Sequence, residues 1–381
     1  MHPYETLFLE GFAHQIRMLQ NRSALQREVI RRVHEIEGRW QDRLIGAGAA
    51  LTGADINRIR SAQFGGSERI RRFSRLLNAF VAELTNAMQE LLTERLRDVA
   101  AFEGMFWGDR YQAFLGEVPE LALDLNMNTT RMARSNVLRG AVVAATLVQG
   151  FRRYRRNRAE RLRNAVTNGA QTDGQSGITS LFRVSRRNRA RGRIFGETTR
   201  SLVGLVQTSY THAQSSGVQA IVEQNDFLDS VWTAMMDNRR PGIDEKTSDI
   251  CISRNGMLVN RDLGGQIPPA HINCRSVIFP QIDPRMLSRA QKRALDSETR
   301  AALQQGLPDM GTATQAFNAL SRAQQIELLG PTRFRLFQQG ELQFPRDFIN
   351  PREERRYTLE EIARREGFDD ISELLNRTDG S

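Results

Sequence analysis

Cysteine is nearly absent: Cys251 and Cys274 are the two in 381 residues. That is too few for a scaffold built on disulfides. Lysine is nearly absent too, at Lys246 and Lys292 only, so arginine supplies almost all of the 54 basic residues. Arginine-rich coding goes with GC-rich DNA, and that accounts for most of the bias. Aromatic residues make up 7%, which leaves little to interleave with the arginines as base-stacking platforms. The longest apolar stretch, Ala141–Val148, is far short of the ~20 residues that cross a bilayer. The first ten residues, MHPYETLFLE, carry no basic n-region and no signal-peptide core. No repeat of solenoid length is present. These absences lead us to expect no membrane anchor, and a protein made and assembled in a reducing cytoplasm.

What is present is a globular composition, 40% hydrophobic and 26% charged, with a net charge of +10. The length suffices for two or three units that each bury a core. The charge favours an acidic partner such as nucleic acid.

Most of the chain reads as helix. Val29, Val33, Ile36, Trp40 and Leu44 recur at four, three, four and four, which places them on one face. Phe73, Leu77, Phe80, Leu84, Met88 and Leu91 form a second stripe, with Ser67 as its cap after Gly65 and Gly66. Both stripes seek a partner helix, and bundle core is the plain reading. Further helices are expected over 129–166 and 196–225, with a polar loop at NGAQTDGQSG, residues 168–177. The pattern then changes. VWTAMMD (231–237), CIS (251–253), MLV (257–259) and SVIF (276–279) read as short strands, and Asn255-Gly256 reads as a hairpin turn. In the tail, a helix ends at Gly330 before Pro331, and Thr358 with Glu361 forms a capping box for a helix that Gly367 closes. The expected fold class is therefore mainly α, with a small β-rich (α+β) insert around residues 231–280 and long helices at the N-terminus. Four consecutive regions follow: a helical 1–128, a helical and arginine-rich 129–230, a β-rich 231–285 and a helical tail 286–381.

The arginines are not evenly spread. Seven of the twelve residues in RRYRRNRAERLR (152–163) are arginine, and RVSRRNRARGR (183–193) follows. Arg152, Arg153, Arg155, Arg156, Arg158, Arg186, Arg187 and Arg189 are either solvated helix faces or phosphate contacts that carry no base specificity.

PPAHINCRSVIFP (268–280) poses the chemical question. His271 and Cys274 are three apart in a loop, and Cys251 lies across the expected hairpin. Two thiolates and an imidazole are preferred zinc ligands, and a metal would stabilise a β unit with little apolar material of its own. Asp237, Asp249 or water would supply a fourth ligand. The same residues also read as two reduced structural thiols beside a hydrogen-bonded histidine, or as a Cys251–Cys274 disulfide. Arg275 is expected to pair with a carboxylate such as Asp237. A Cys–His hydrolase is disfavoured, because His271 and Cys274 share one short loop. A metal-dependent nuclease would need His271 as base and an open metal position. His2, His14, His34 and His212 read as helix-surface or boundary residues.

In order along the chain stand TSYTHAQ (208–214), WTAMMD ending at Asp237, TSDIC ending at Cys251, Arg254-Asn-Gly256, PPAHINCRS (268–276), LGPTRFRLFQQGEL (329–342) and TLEEI (358–362). This series resembles the phage Mu F-like minor head proteins, or phage head morphogenesis proteins, over roughly residues 160–365. The resemblance implies a structural virion component and no enzyme. It implies assembly in the host cytoplasm and a place in the capsid interior near the portal. The implied partners are the portal protein and double-stranded DNA, with scaffold or major capsid protein as further candidates. Capsid assembly and DNA ejection are the processes it points to. Two departures matter: Ser248 stands where many members carry a first cysteine, and Ser276 where they carry a last. A four-cysteine cage is therefore impossible here, and PGIDEK (241–246) lengthens the turn after Asp237.

Overall fold

The computed structural model describes residues 3–117, 141–183, 193–234, 247–271, 273–294, 297–305, 322–340, 342–343, 347–350, 355–368, 370 and 372–373. Helices dominate them, with a small antiparallel β element, so the chain is mainly α with a small β insert. The long helices are α1 (Pro3–Ala49), α3 (Glu68–Glu117), α4 (Ala141–Ser180) and α5 (Arg193–Val222), with the short α2 (Gly53–Arg60) after α1. Two compact units form, each from non-contiguous segments. A helical unit comprises Asn21–Arg97 and Ala141–Gln207; a β-containing unit comprises Met1–Gln20, Asp98–Gly140 and Thr208–Ser381. The four consecutive regions read from sequence thus differ from the spatial division, because long helices contribute different lengths to different units.

In the helical unit α1 and α3 run antiparallel. Glu83 accepts from Arg39 (2.6 Å) and from Trp40 Nε1 (2.8 Å), while Arg95 meets Glu28 at 3.6 Å. The two sequence stripes are core: Val29, Val33, Ile36, Trp40, Leu44, Phe73, Leu77, Phe80, Leu84 and Met88 are all buried. Leu91 is only partly so; Leu92 takes the inward position. Ser67 caps α3 through the Ile70 amide, and Asp55, in the Thr52 capping box of α2, also accepts from Ser67 and Arg69. The expected loop at 168–177 is instead helical on both sides of a break. Asp173 and Gly174 (φ +58°) leave helical geometry inside α4. There the two arms touch backbone to backbone, since a Cβ on Gly177 would meet Gly169 O at 2.0 Å. Glycine therefore permits a fold-back that composition alone reads as a loop.

The β-containing unit is built on α5 and two strands, β1 (Leu228–Thr233) and β2 (Val277–Ile282), paired antiparallel with Val231 opposite Phe279. Both are buried, and Trp107, Tyr111, Trp232 and Phe279 anchor the surrounding apolar cluster. Glu103 lies at the bottom of a buried polar knot, accepting from His14 (2.8 Å), Gln15 (2.8 Å) and Trp107 Nε1 (3.0 Å). His14 is therefore an interior residue, not the surface or boundary position expected; His212 is half-buried, at a boundary, and His34 is exposed. The burial of His14 is tolerated because a ring nitrogen finds a partner.

The expected hairpin at 251–259 is not formed. Cys251 lies in a short helix, α6 (Asp249–Arg254), and α7 (Val259–Leu263) follows. Ser248 accepts from the Cys251 amide and starts α6, and Asn255 ends it. Gly256 (φ +80°) then reverses the chain, and its amide reaches Trp232 O. Asn-Gly supplies a positive φ to a hairpin or to a helix exit alike; the capping serine decides between them. A single bridge, Val231 to Leu258, is what remains of strand pairing there. After α8 (Arg289–Ala294) and α9 (Ser297–Gln305) the tail follows its punctuation, with α10 (Arg322–Leu329), α11 opening at Pro331 (Pro331–Gln338), a minimal β3 (Ile349–Asn350) and β4 (Arg355–Arg356) pair, and α12 (Leu359–Arg365) under the Thr358–Glu361 capping box.

Candidate metal centre

Local sequence rules bring three donors together. Ser248 as N-cap places Cys251 on the third residue of α6. The loop after Pro269 closes a turn in which the Cys274 amide donates to His271 O at 3.1 Å, with Asn273 left-handed at φ +65°. Asparagine tolerates that conformation. Helix α5 fixes the turn: Thr208 Oγ1 accepts from the Asn273 amide (3.1 Å), and Thr211 Oγ1 donates to Cys274 O (3.0 Å). His212, one residue on, hydrogen-bonds the Pro268 carbonyl, and burial lowers its pKa. Sequence reasoning did not assign this role to α5. The signal available was Thr208, Thr211 and His212 on one face of a helix that is otherwise apolar or small.

Cys251 Sγ lies 3.2 Å from His271 Nε2 and 3.6 Å from Cys274 Sγ, and all three donor atoms fall within 4.8 Å of one another. Tetrahedral zinc, with bonds of about 2.3 Å to sulfur and about 2.0 Å to nitrogen, sets donor spacings of about 3.8 Å and about 3.5 Å. The two Cys251 spacings thus match a metal to tenths of an ångström, and with His271 and Cys274 within 4.8 Å of each other the set could hold one. Both thiols are buried and His271 is partly exposed. The Cys251 thiol is pulled down to about 7: the Cys274 S–H donates to it, Ser248, Ser276 and Arg254 add to the effect, and burial opposes it. Cys274, donating to Cys251 and buried, is pushed up. Arg254 is fully buried with its guanidinium 4.8 Å over the Trp232 ring and donates to Gln266 at 2.6 Å.

Of the expected fourth ligands, Asp249 can be placed. Asp249 is outside the cluster and bonds the Ile250 amide. Asp237 lies outside the described residues, and so does its pairing with Arg275, which is half-buried next to Cys274. The hydrolase expectation considered His271 with Cys274. The thiol that touches the imidazole is in fact Cys251, from another element, but at 2% exposure it offers no surface to a substrate.

The arginine predictions divide. Arg152, Arg153, Arg155 and Arg156 are exposed on α4. Arg158 is not a surface contact: it is 3% exposed, in the same buried group as Glu37 and Tyr154. It shares the inward face of α4 with Phe151, Leu162 and Val166, which are buried. Arg186, Arg187 and Arg189 lie outside the described residues. The charge as a whole is partitioned. The helical unit holds 28 arginines against 12 acidic residues, or +16; the β-containing unit holds 26 basic against 32 acidic, or −6, which together give the chain its +10.

Among the described residues, no helix is long and apolar enough to cross a membrane. No family model, curated protein or solved structure matches the chain.

Proposed function

We propose that this chain is a non-enzymatic head morphogenesis component of a tailed phage. Its helical unit contacts double-stranded DNA, and its β-containing unit is fastened by zinc. The observation that carries the DNA reading is the charge partition: all of the net positive charge belongs to one unit, with an exposed arginine row on α4. Phosphate contact needs dense, permanently charged donors and no base-reading geometry. The ordered resemblance to minor head proteins supplies the setting: a virion interior near the portal, with portal protein as partner and scaffold or major capsid protein as further candidates. Zinc is the metal that two thiolates and an imidazole favour. Cys251, His271 and Cys274 would hold it, and its contribution would be to tie α6 to the 268–276 loop.

Three measurements test the reading. Portal protein co-expressed with the chain is expected to co-purify with it. Virions are expected to contain it, by mass spectrometry. Elemental analysis after chelator-free purification is expected to give about one zinc per chain. Nicking of supercoiled plasmid with Mg²⁺ or Mn²⁺ that disappears in His271→Ala would replace this reading with the nuclease.

A further inference from the structure

Among the described residues the donor set is one ligand short, and the residues beside it are specific. Among the described residues, the group within mutual reach of a metal is Cys251, His271 and Cys274, with no carboxylate in it. Ser276, 1% exposed and two residues from Cys274, has a buried Oγ with no hydrogen-bond partner. A buried hydroxyl without a partner is costly unless something else occupies the site. Ser248 Oγ also borders the cluster: it lies 2.7 Å from His271 Nε2 while also accepting from the Cys251 amide. A metal takes that imidazole nitrogen, which frees the Ser248 hydroxyl hydrogen for a new acceptor. Of the three donors, His271 is the one that reaches the surface.

We infer that the metal held by Cys251, His271 and Cys274 keeps a fourth coordination position for a small ligand from solution, hydrogen-bonded by the Ser248 and Ser276 hydroxyls. This rests on the zinc reading above. The ligand class follows from charge and size. Two thiolates cancel a divalent ion, and the buried Arg254 guanidinium favours negative charge at Cys251, so a small monodentate anion is favoured over a cation. Two hydroxyl donors at one position also select an acceptor.

Cobalt reports on the site without any assay of activity. The full chain is loaded with Co²⁺ under reducing conditions, its metal content is measured, and the visible spectrum is followed while azide is added. The expected result is one cobalt per chain and a saturable change in the d–d bands. Ser276→Ala is expected to bind the same amount of cobalt, with azide affinity about tenfold weaker, the effect of one hydrogen bond to an anion. Ser276→Cys is expected to add sulfur-to-cobalt charge-transfer absorption and to abolish the azide response by closing the fourth position. One cobalt bound with a spectrum indifferent to azide would overturn the inference and leave the zinc reading standing, since a protein ligand would then fill the position. No bound cobalt or zinc would overturn both.

Discussion

Thr211 Oγ1 donates to the carbonyl of Cys274 at 3.0 Å, across 63 residues of sequence. Through this bond a helix that contributes no donor atom to the cluster sets the height at which one thiol is presented. Thr211 is 1% exposed, so losing the hydroxyl leaves a buried carbonyl unsatisfied. Thr211→Val keeps the shape and removes the bond. The expected cost is about 1–2 kcal/mol in stability, with zinc affinity down about tenfold or more, as for other supports of metal ligands. Competition against a chromophoric chelator measures the second effect; unchanged zinc affinity would refute the positioning role.

The arginine row and its buried member give opposite predictions. Replacing the exposed Arg152, Arg153, Arg155 and Arg156 by Gln is expected to lower the slope of log K against log salt for duplex DNA. Each phosphate left without its arginine lowers that slope by about 0.9. Replacing the buried Arg158 is expected to leave the slope alone and to destabilise the helical unit, because a long side chain only 3% exposed loses its packing. Fluorescence anisotropy across a salt series reads the first outcome and thermal unfolding the second. A slope unmoved by the fourfold variant would make the row a solvated face.

Glu37 is expected to make the helical unit pH-sensitive. Burial raises its carboxyl to about 8 against an ordinary 4.5, and nearby Arg158 only partly offsets this. The folded state thus holds a proton that the unfolded chain releases. The stabilisation is complete below about 4.5 and is lost as pH rises through 8. The loss across that window is of order 4 kcal/mol. Glu37→Gln keeps the neutral shape and removes the titration. Calorimetry at pH 5 and pH 9 is expected to find wild type falling relative to the variant; parallel curves would contradict the buried acid.

At Gly217 α5 packs tightly against α3 in the β-containing unit. A Cβ there would sit 2.4 Å from Ala100 O and 3.0 Å from Glu103 Cβ. Neither backbone can move without disturbing the Glu103 knot, so Gly217→Ala is expected to cost about 1–3 kcal/mol. Gly38 is the control: it lies in α1 with nothing within 4 Å of a new Cβ. Gly38→Ala is expected to stabilise by about 0.5–1 kcal/mol through helix propensity and unfolded-state entropy. Chemical denaturation of the pair tests both signs.

The sequence by itself determined the elements whose cause is local. Apolar residues at helical spacing specified the inward faces of α1 and α3, because a stripe of that width must be buried whatever covers it. Ser67, the Thr358–Glu361 box and Pro331 placed helix ends, because a cap bonds amides within its own turn. The Cys251, His271 and Cys274 set was legible as chemistry, since residue type fixes ligand preference. Tertiary structure alone decided the rest. It turned Arg158 inward while its neighbours stayed in solvent. It recruited Thr208, Thr211 and His212 to hold a loop some sixty residues away. These outcomes depend on which surfaces meet, and a meeting of distant segments is a property of packing that no local pattern records.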